Sequence, residues 1–181
     1  MTFEELQKAN ATIKTTSIKG KQYAEVNQRI KVFRTLFPNG QIHTNIESLE
    51  NGVCVIKATV CDENGQILAN GHAYEKEDLT FINQTSYIEN CETSAIGRAL
   101  GMLGIGIDTS IASAEEVENA ITQQEMNKKV SKPKIETLKA ICKKNNVDVE
   151  AWLVQCGRTW ETLTEGEATQ MLVSMKQKYG D

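Results

Sequence analysis

The sequence predicts an α+β fold: an N-terminal helix, a three-stranded antiparallel β-meander, a long helix completing a β-β-β-α core, and then a small three-helix C-terminal domain. Three observations carry this. Residues Gln41 to Glu75 alternate with a period of two, interrupted by Asn51-Gly52 and Asp62-Glu63-Asn64-Gly65, both strong hairpin-turn signals. On either side, apolar residues recur every three or four positions, the helical spacing. Between Ile121 and Lys134 the chain turns polar and ends in Ser131-Lys132-Pro133-Lys134, which sets off a second unit.

Taken in order, residues 1–20 read as a polar arm. Tyr23, Val26, Ile30, Phe33 and Phe37 predict a helix from Gln22 to Phe37, stopped by Pro38-Asn39-Gly40. Strands follow over Gln41 to Leu49, Val53 to Cys61 and Gln66 to Glu75. On the middle strand Cys54, Ile56, Ala58 and Val60 point to one face, and Val53, Val55, Lys57 and Thr59 to the other, so one face is buried and the other carries a cation.

After a loop over Lys76 to Asn83, Ser86 to Gly104 reads as a helix. Ile88, Cys91, Ala95, Ile96, Ala99, Leu100, Met102 and Leu103 fill half its circumference. The opposite stripe, Asn90, Ser94, Gly97 and Gly101, is small and bordered by Arg98. Two glycines inside a helix cost on the order of 1 kcal/mol each relative to alanine, so something approaches that stripe closely. Packing against a neighbouring helix or subunit is the plain reading; a nucleic-acid backbone running past Arg98 is the functional one. Gly101, Gly104 and Gly106 end this helix instead of opening one after a strand, which excludes a dinucleotide loop. Asp108 to Ser113 is a turn, and Ser113 with Glu116 forms a capping box for a closing helix through Val117, Ala120 and Ile121.

The domain boundaries predicted are a core over 21–121, a linker over 122–133 and a helical domain over 134–181. In the last, Ile135, Leu138, Ile141 and Cys142 form one stripe. Asp148 caps a second helix bearing Val149, Trp152, Leu153 and Cys156. Thr164 and Glu167 form a capping box for a third, with Ala168, Met171, Leu172 and Met175. Trp160 and Leu163 fill the space between. The cluster Lys128, Lys129, Lys132, Lys134, Lys139, Lys143 and Lys144 is either a solvated helix face or a phosphate-contacting patch.

Composition narrows the chemistry. The chain has 181 residues, with 20 Lys+Arg against 24 Asp+Glu; up to Ala120 there are 10 basic and 16 acidic residues, after it 10 and 8. Five cysteines without a C-x-x-C pair suggest reduced, buried thiols, and the two histidines, His43 and His72, read as strand side chains, so no metal site is expected. No long apolar run or signal-peptide start is seen, which points to a soluble cytoplasmic protein with no membrane partner. A phosphate-cradling loop and a nucleophile elbow are both absent. Glu89 with Glu92 and Glu115 with Glu116 suggest Mg²⁺ binding in a nuclease, but helix charge explains them more simply. The expectation is a protein without enzymatic activity or cofactor.

Three stretches carry a family likeness: Lys21-Gln22-Tyr23, the strand segment Asn70-Gly71-His72-Ala73-Tyr74, and the run from Glu92 to Gly101, Glu-Thr-Ser-Ala-Ile-Gly-Arg-Ala-Leu-Gly. From Lys21 to Ala120 the chain resembles the phage single-strand annealing proteins, in the branch that shares its fold with the eukaryotic Rad-type annealing protein of recombination. The resemblance implies ATP-independent binding and annealing of single-stranded DNA by a homo-oligomeric ring or filament. A bacterial host cytoplasm and a phage exonuclease or host single-strand-binding protein as partner go with it. Arg98 transfers as a phosphate contact from the signature helix, with Ser94, Gly97 and Gly101 beside it. Lys57 and Lys21 are further candidates. Where the eukaryotic relatives have two adjacent cations, this chain has Gly97-Arg98. Tyr74 and Tyr87 could stack bases, although core packing is the commoner role for each. The acidic balance of the first unit favours an alternative: a protein-interaction module of the same fold, an accessory factor or inhibitor of a host nuclease or defence system.

Overall fold

The computed structural model describes residues 1–77 and 83–179. The chain forms two compact units, Met1–Ala120 and Ile121–Asp181, and the fold is α+β as the sequence predicts. Among the described residues no helix is long and apolar enough to cross a membrane.

The first unit opens with α1 (Phe3–Asn10) and a hairpin of β1 (Thr15–Ile18) and β2 (Lys21–Ala24), so the polar arm of residues 1–20 contains a helix and a strand. Thr2 and Glu5 close a capping box at the start of α1, and Leu6 buries against the core. Lys19 and Gly20 have φ of 50° and 80°, the pair of positive values that a two-residue hairpin turn requires. The strand β2 takes the residues expected to begin the next helix. Helix α2 therefore covers Val26–Leu36 only, and Tyr23 belongs to the hairpin, paired with Thr16.

Strands β3 (Gln41–Glu50), β4 (Val53–Cys61) and β5 (Ile67–Lys76) form the expected antiparallel meander, with β4 central. Their registers place Asn45 opposite Lys57 opposite His72, and His43 opposite Thr59 opposite Asn70. The face of Cys54, Ile56, Ala58 and Val60 is buried, as the alternation predicts. Helix α3 (Asn83–Met102) covers that face, beginning before the expected Ser86, where the backbone departs from helical angles (φ −144°, ψ 23°). Most of the expected loop between β5 and α3 lies outside the described residues. The close approach of α3 to the sheet depends on Gly71, where a Cβ would overlap Ala95 O and Ala99 N. Cys91, Ala95, Ala99 and Leu100 bury, while Met102, expected on that face, is exposed.

Helix α4 (Ala114–Met126) begins at the expected capping box: Ser113 N donates to Glu116 Oε2 at 2.9 Å and Glu116 N to Ser113 Oγ at 3.3 Å. In the second unit, α5 (Lys132–Lys144), α6 (Val149–Gln155) and α7 (Glu165–Tyr179) surround Val130, Leu138, Leu153, Leu163, Ala168 and Met171. Both predicted caps form. Asp148 Oδ1 accepts from Glu150 N and Ala151 N, and Thr164 and Glu167 bond reciprocally. The predicted linker is shorter than expected because Val130, the apolar residue in a polar stretch, is core; its N–H donates to Leu163 O at 2.9 Å.

Candidate functional site

A three-stranded sheet has two faces, and α3 covers only one of them. The other follows from strand parity and register: His43, Asn45, Ser48 and Glu50 on β3, Val53, Val55, Lys57 and Thr59 on β4, and Asn70, His72, Tyr74 and Lys76 on β5. His43, Asn45, Asn70 and His72 are exposed, Lys57 and Thr59 half-buried, and Tyr74 is 65% exposed. Core packing, the commoner role for a tyrosine, does not apply to Tyr74, because β5 parity turns it to the open face opposite Val55. Tyr87 does pack against the core. Across the face Thr59 Oγ1 donates to Asn70 Oδ1 at 2.9 Å, and His43 Nε2 lies 2.8 Å from Gln41 Oε1. The result is a surface with Lys57 at its centre, amide and imidazole groups around it, an accessible aromatic ring, and the acid Glu50 and the cation Lys76 in one row at its end.

The small-residue stripe of α3 is not such a surface. Ser94, Gly97 and Gly101 are buried, and the molecule's own atoms occupy the space beside the two glycines. A Cβ on Gly97 would meet Val26 Cγ2 at 2.8 Å, and one on Gly101 would meet Arg29 Nη1 at 2.7 Å. Packing against α2 therefore accounts for the two glycines, and Ser94 is buried beside them. What the stripe accommodates is Arg29, whose residue exposure is 0%. Its Nη1 donates to Gly97 O (2.6 Å) and Ile111 O (2.7 Å), and its Nη2 to Ser110 O (2.6 Å) and Ala112 O (3.2 Å). Burial pushes this guanidinium below the usual arginine range, with Glu116 and Glu115 pulling it back up.

Three of the four paired glutamates, Glu92, Glu115 and Glu116, have structural partners. Both oxygens of Glu115 accept from Val26 N, at 3.0 and 3.2 Å, which satisfies the first turn of α2. Glu116 Oε1 pairs with Arg98 Nη1 at 3.1 Å while its other oxygen caps α4. Glu92 accepts from Thr44 Oγ1 at 2.6 Å. Arg98 thus lies at the border of the packed stripe, 43% exposed and held by an acid of its own chain.

Lys21 sits on β2, exposed, in a hairpin that also carries Lys14 and Lys19. None of these three forms an ion pair among the described residues. From Leu6 to Ala24 the chain has four lysines and no acid, a local excess that averaging over the whole unit conceals. The sheet-face residues His43, Asn45, Asn70 and His72 were equally legible from parity, once the two turns fix the register. Sequence reasoning followed parity on the middle strand alone.

A family model described as "Slr1353 N-terminal dsRNA-binding domain-like" matches residues 30–103, from within α2 to just past the end of α3. The match thus spans most of α2, the whole meander and α3. No curated protein and no solved structure matches the chain.

Proposed function

We propose that this protein binds single-stranded nucleic acid on the open face of the β3-β4-β5 sheet and promotes annealing of complementary strands without nucleotide hydrolysis. The observation that carries the reading is the uncovered face itself, with Lys57 between Asn45 and His72 and with Tyr74 accessible. A lysine supplies the phosphate attraction that dominates non-specific affinity. An exposed tyrosine supplies a platform on which any base stacks, worth roughly 1–3 kcal/mol. The similarity to a family described as dsRNA-binding domain-like supports a nucleic-acid ligand for the same segment. Single strands suit this face better than a duplex, because bases must be unpaired to reach the tyrosine and the amides. The first turns of α3, Asn83 to Glu92, carry two glutamates and no cation, which disfavours duplex phosphates along that helix.

The resemblance to phage annealing proteins belongs to this reading, as does assembly into a homo-oligomer. Both β3 and β5 are edges of their sheet, and an edge offers backbone groups to a second chain. Oligomers also answer the acidic balance of the first unit, since repeated copies set one Lys57 after another along the bound strand.

The test is fluorescence anisotropy of a labelled 30-nucleotide single strand titrated with the full chain at several salt concentrations. Duplex DNA and double-stranded RNA of the same length serve as competitors, followed by a strand-pairing assay. Single-strand preference, salt sensitivity and loss of affinity in Lys57→Glu and Tyr74→Ala, with melting temperature unchanged, are expected. Preference for double-stranded RNA would move the ligand to the duplex named by the family description. Absence of binding to all three would leave the accessory-factor reading in its place.

A further inference from the structure

We propose that the second unit carries a nucleic-acid contact of its own: a lysine stripe on α5, formed by Lys132, Lys139 and Lys143, that binds backbone phosphates. The inference takes its ligand class from the reading above, but its geometry comes from the second unit alone.

The chain from Met126 to Val147 holds seven lysines and a single acid, Glu136. The structure sorts those lysines by use. Lys134 turns inward to pair with Glu165 and to donate to Thr169 Oγ1 at 2.9 Å, and Lys128 pairs with Glu125 at 2.6 Å. Lys132, Lys139 and Lys143 are exposed and form no ion pair among the described residues.

Their spacing of seven and four residues sets them on one stripe, within about 40° of one another around the helix and spanning roughly 16 Å along it. Leu138 and Cys142, the buried residues of α5, lie on a different side. A strand in a duplex advances about 3.4 Å of axis per phosphate, so the stripe reaches over four to five of them. Lys143 near the C-terminus of the helix also complements the helix dipole, so its charge persists at no cost to the fold.

Lys139 is partly ordered in advance. Its Nζ lies 4.8 Å from the centroid of the Trp160 ring, and Trp160 Nε1 donates to Glu150 Oε1 at 2.8 Å, which fixes the ring. A lysine whose ammonium is already held over an aromatic ring loses less side-chain freedom on binding. Glu136, on the edge of the same stripe, opposes phosphate binding and gives the proposal a gain-of-function test.

The experiment compares the full chain with Lys132→Gln/Lys139→Gln/Lys143→Gln, with Glu136→Gln and with the sheet variant Lys57→Glu/Tyr74→Ala. Each is titrated into the labelled single strand over a range of salt, with circular dichroism confirming the fold and polyglutamate of matched charge as competitor. The triple variant is expected to lose about two units from the slope of log affinity against log salt and at least about tenfold in affinity at low salt. Glu136→Gln is expected to bind more tightly. If the triple variant keeps slope and affinity while the sheet variant loses them, the α5 proposal falls and the sheet reading stands. If the reverse holds, α5 is a contact and the sheet reading falls. Wild-type protein that fails to bind removes both. Displacement by polyglutamate as efficient as by unlabelled strand overturns the assignment to nucleic acid in favour of an acidic protein.

Discussion

Arg29 Nη1 lies 2.7 Å from the point that a Cβ on Gly101 would occupy and 2.6 Å from the carbonyl oxygen of Gly97, one turn earlier on the same helix. Gly101 and the arginine are therefore one device: the helix surrenders a side chain there so that a guanidinium can reach the Gly97 carbonyl and tie α3 to the loop at Ser110, Ile111 and Ala112, while the missing Cβ at Gly97 makes room for Val26. Gly101→Ala sets two effects against each other. Helix propensity favours alanine by roughly 1 kcal/mol. Overpacking costs about 1–3 kcal/mol, and displacing charge-assisted hydrogen bonds costs about 1.5–3 kcal/mol for each one broken. The second wins, so Gly101→Ala lowers the melting temperature of the first unit, measured by differential scanning calorimetry. A melting temperature equal to or above wild type would show that Arg29 has room to move.

The fold was legible wherever one local signal decided it. Asn51-Gly52, the Ser113/Glu116 box and the Thr164/Glu167 box each act within a few residues, and each stands where the pattern put it. Two things were not legible. Tyr23 and Val26 share helical spacing, but the positive-φ pair Lys19-Gly20 diverts Tyr23 into a hairpin, a competition that periodicity does not weigh. The stripe at Ser94, Gly97 and Gly101 announced a close neighbour correctly. Its identity depended on a buried arginine 68 residues away from Gly97, contributed by another helix, and no local pattern encodes that. Arg29 lies outside the apolar stripe of Val26, Ile30 and Phe33 that marks its helix.

Arg98 is the binding residue that the resemblance implies, and its pairing with Glu116 makes a direct substitution ambiguous. Arg98→Glu would set two carboxylates together, so lost affinity could follow from lost structure. Glu116→Gln is the cleaner probe, because glutamine preserves the capping geometry at Ser113 N while releasing the guanidinium. With the Arg98 side chain 43% exposed, breaking the pair itself costs about 0.5–1 kcal/mol, to which the lost attraction between Glu116 and the buried Arg29 is added. If Arg98 reaches phosphate, Glu116→Gln tightens single-strand binding by about two- to fivefold at low salt, as one more cation becomes available. Unchanged affinity in this variant would assign Arg98 to structure alone.

The thiols divide by burial. Cys54, Cys61, Cys91 and Cys142 are buried, and Cys156 is exposed. Burial, with the neighbouring Cys54, pushes the Cys91 thiol up to about 12, and its Sγ lies 3.4 Å from both Cys54 O and Ala73 O. Burial likewise raises Cys54 and Cys142. Since the thiolate is the reactive form, native protein at pH 8 is expected to react rapidly with a disulfide reagent at Cys156 and to release the remaining equivalents only in denaturant. Rapid modification of Cys91 in native protein would contradict the packing of α3 on the sheet.

Glu165 ties the start of α7 to the start of α5. It pairs with Lys134, and its Oε1 accepts from Ser131 N at 2.7 Å. The hydrogen bond from Lys134, then those from Ser131, hold its carboxyl below the ordinary glutamate value of 4.5. A depressed folded-state value means that the stabilisation is fully present above 4.5 and is lost as pH falls through the folded value. Glu165→Gln should therefore cost about 1–2 kcal/mol at pH 7, the range for a half-buried, charge-assisted contact, and very little at pH 3. Glu167 is also held low: burial opposes this, but Arg158 and Thr164 prevail, so the acid limb of the variant flattens without vanishing. Both tryptophans, Trp152 and Trp160, belong to this unit, so their fluorescence in urea titrations follows its unfolding selectively. A variant curve parallel to wild type from pH 7 to pH 3 would mean that the Glu165 carboxylate contributes nothing through its charge.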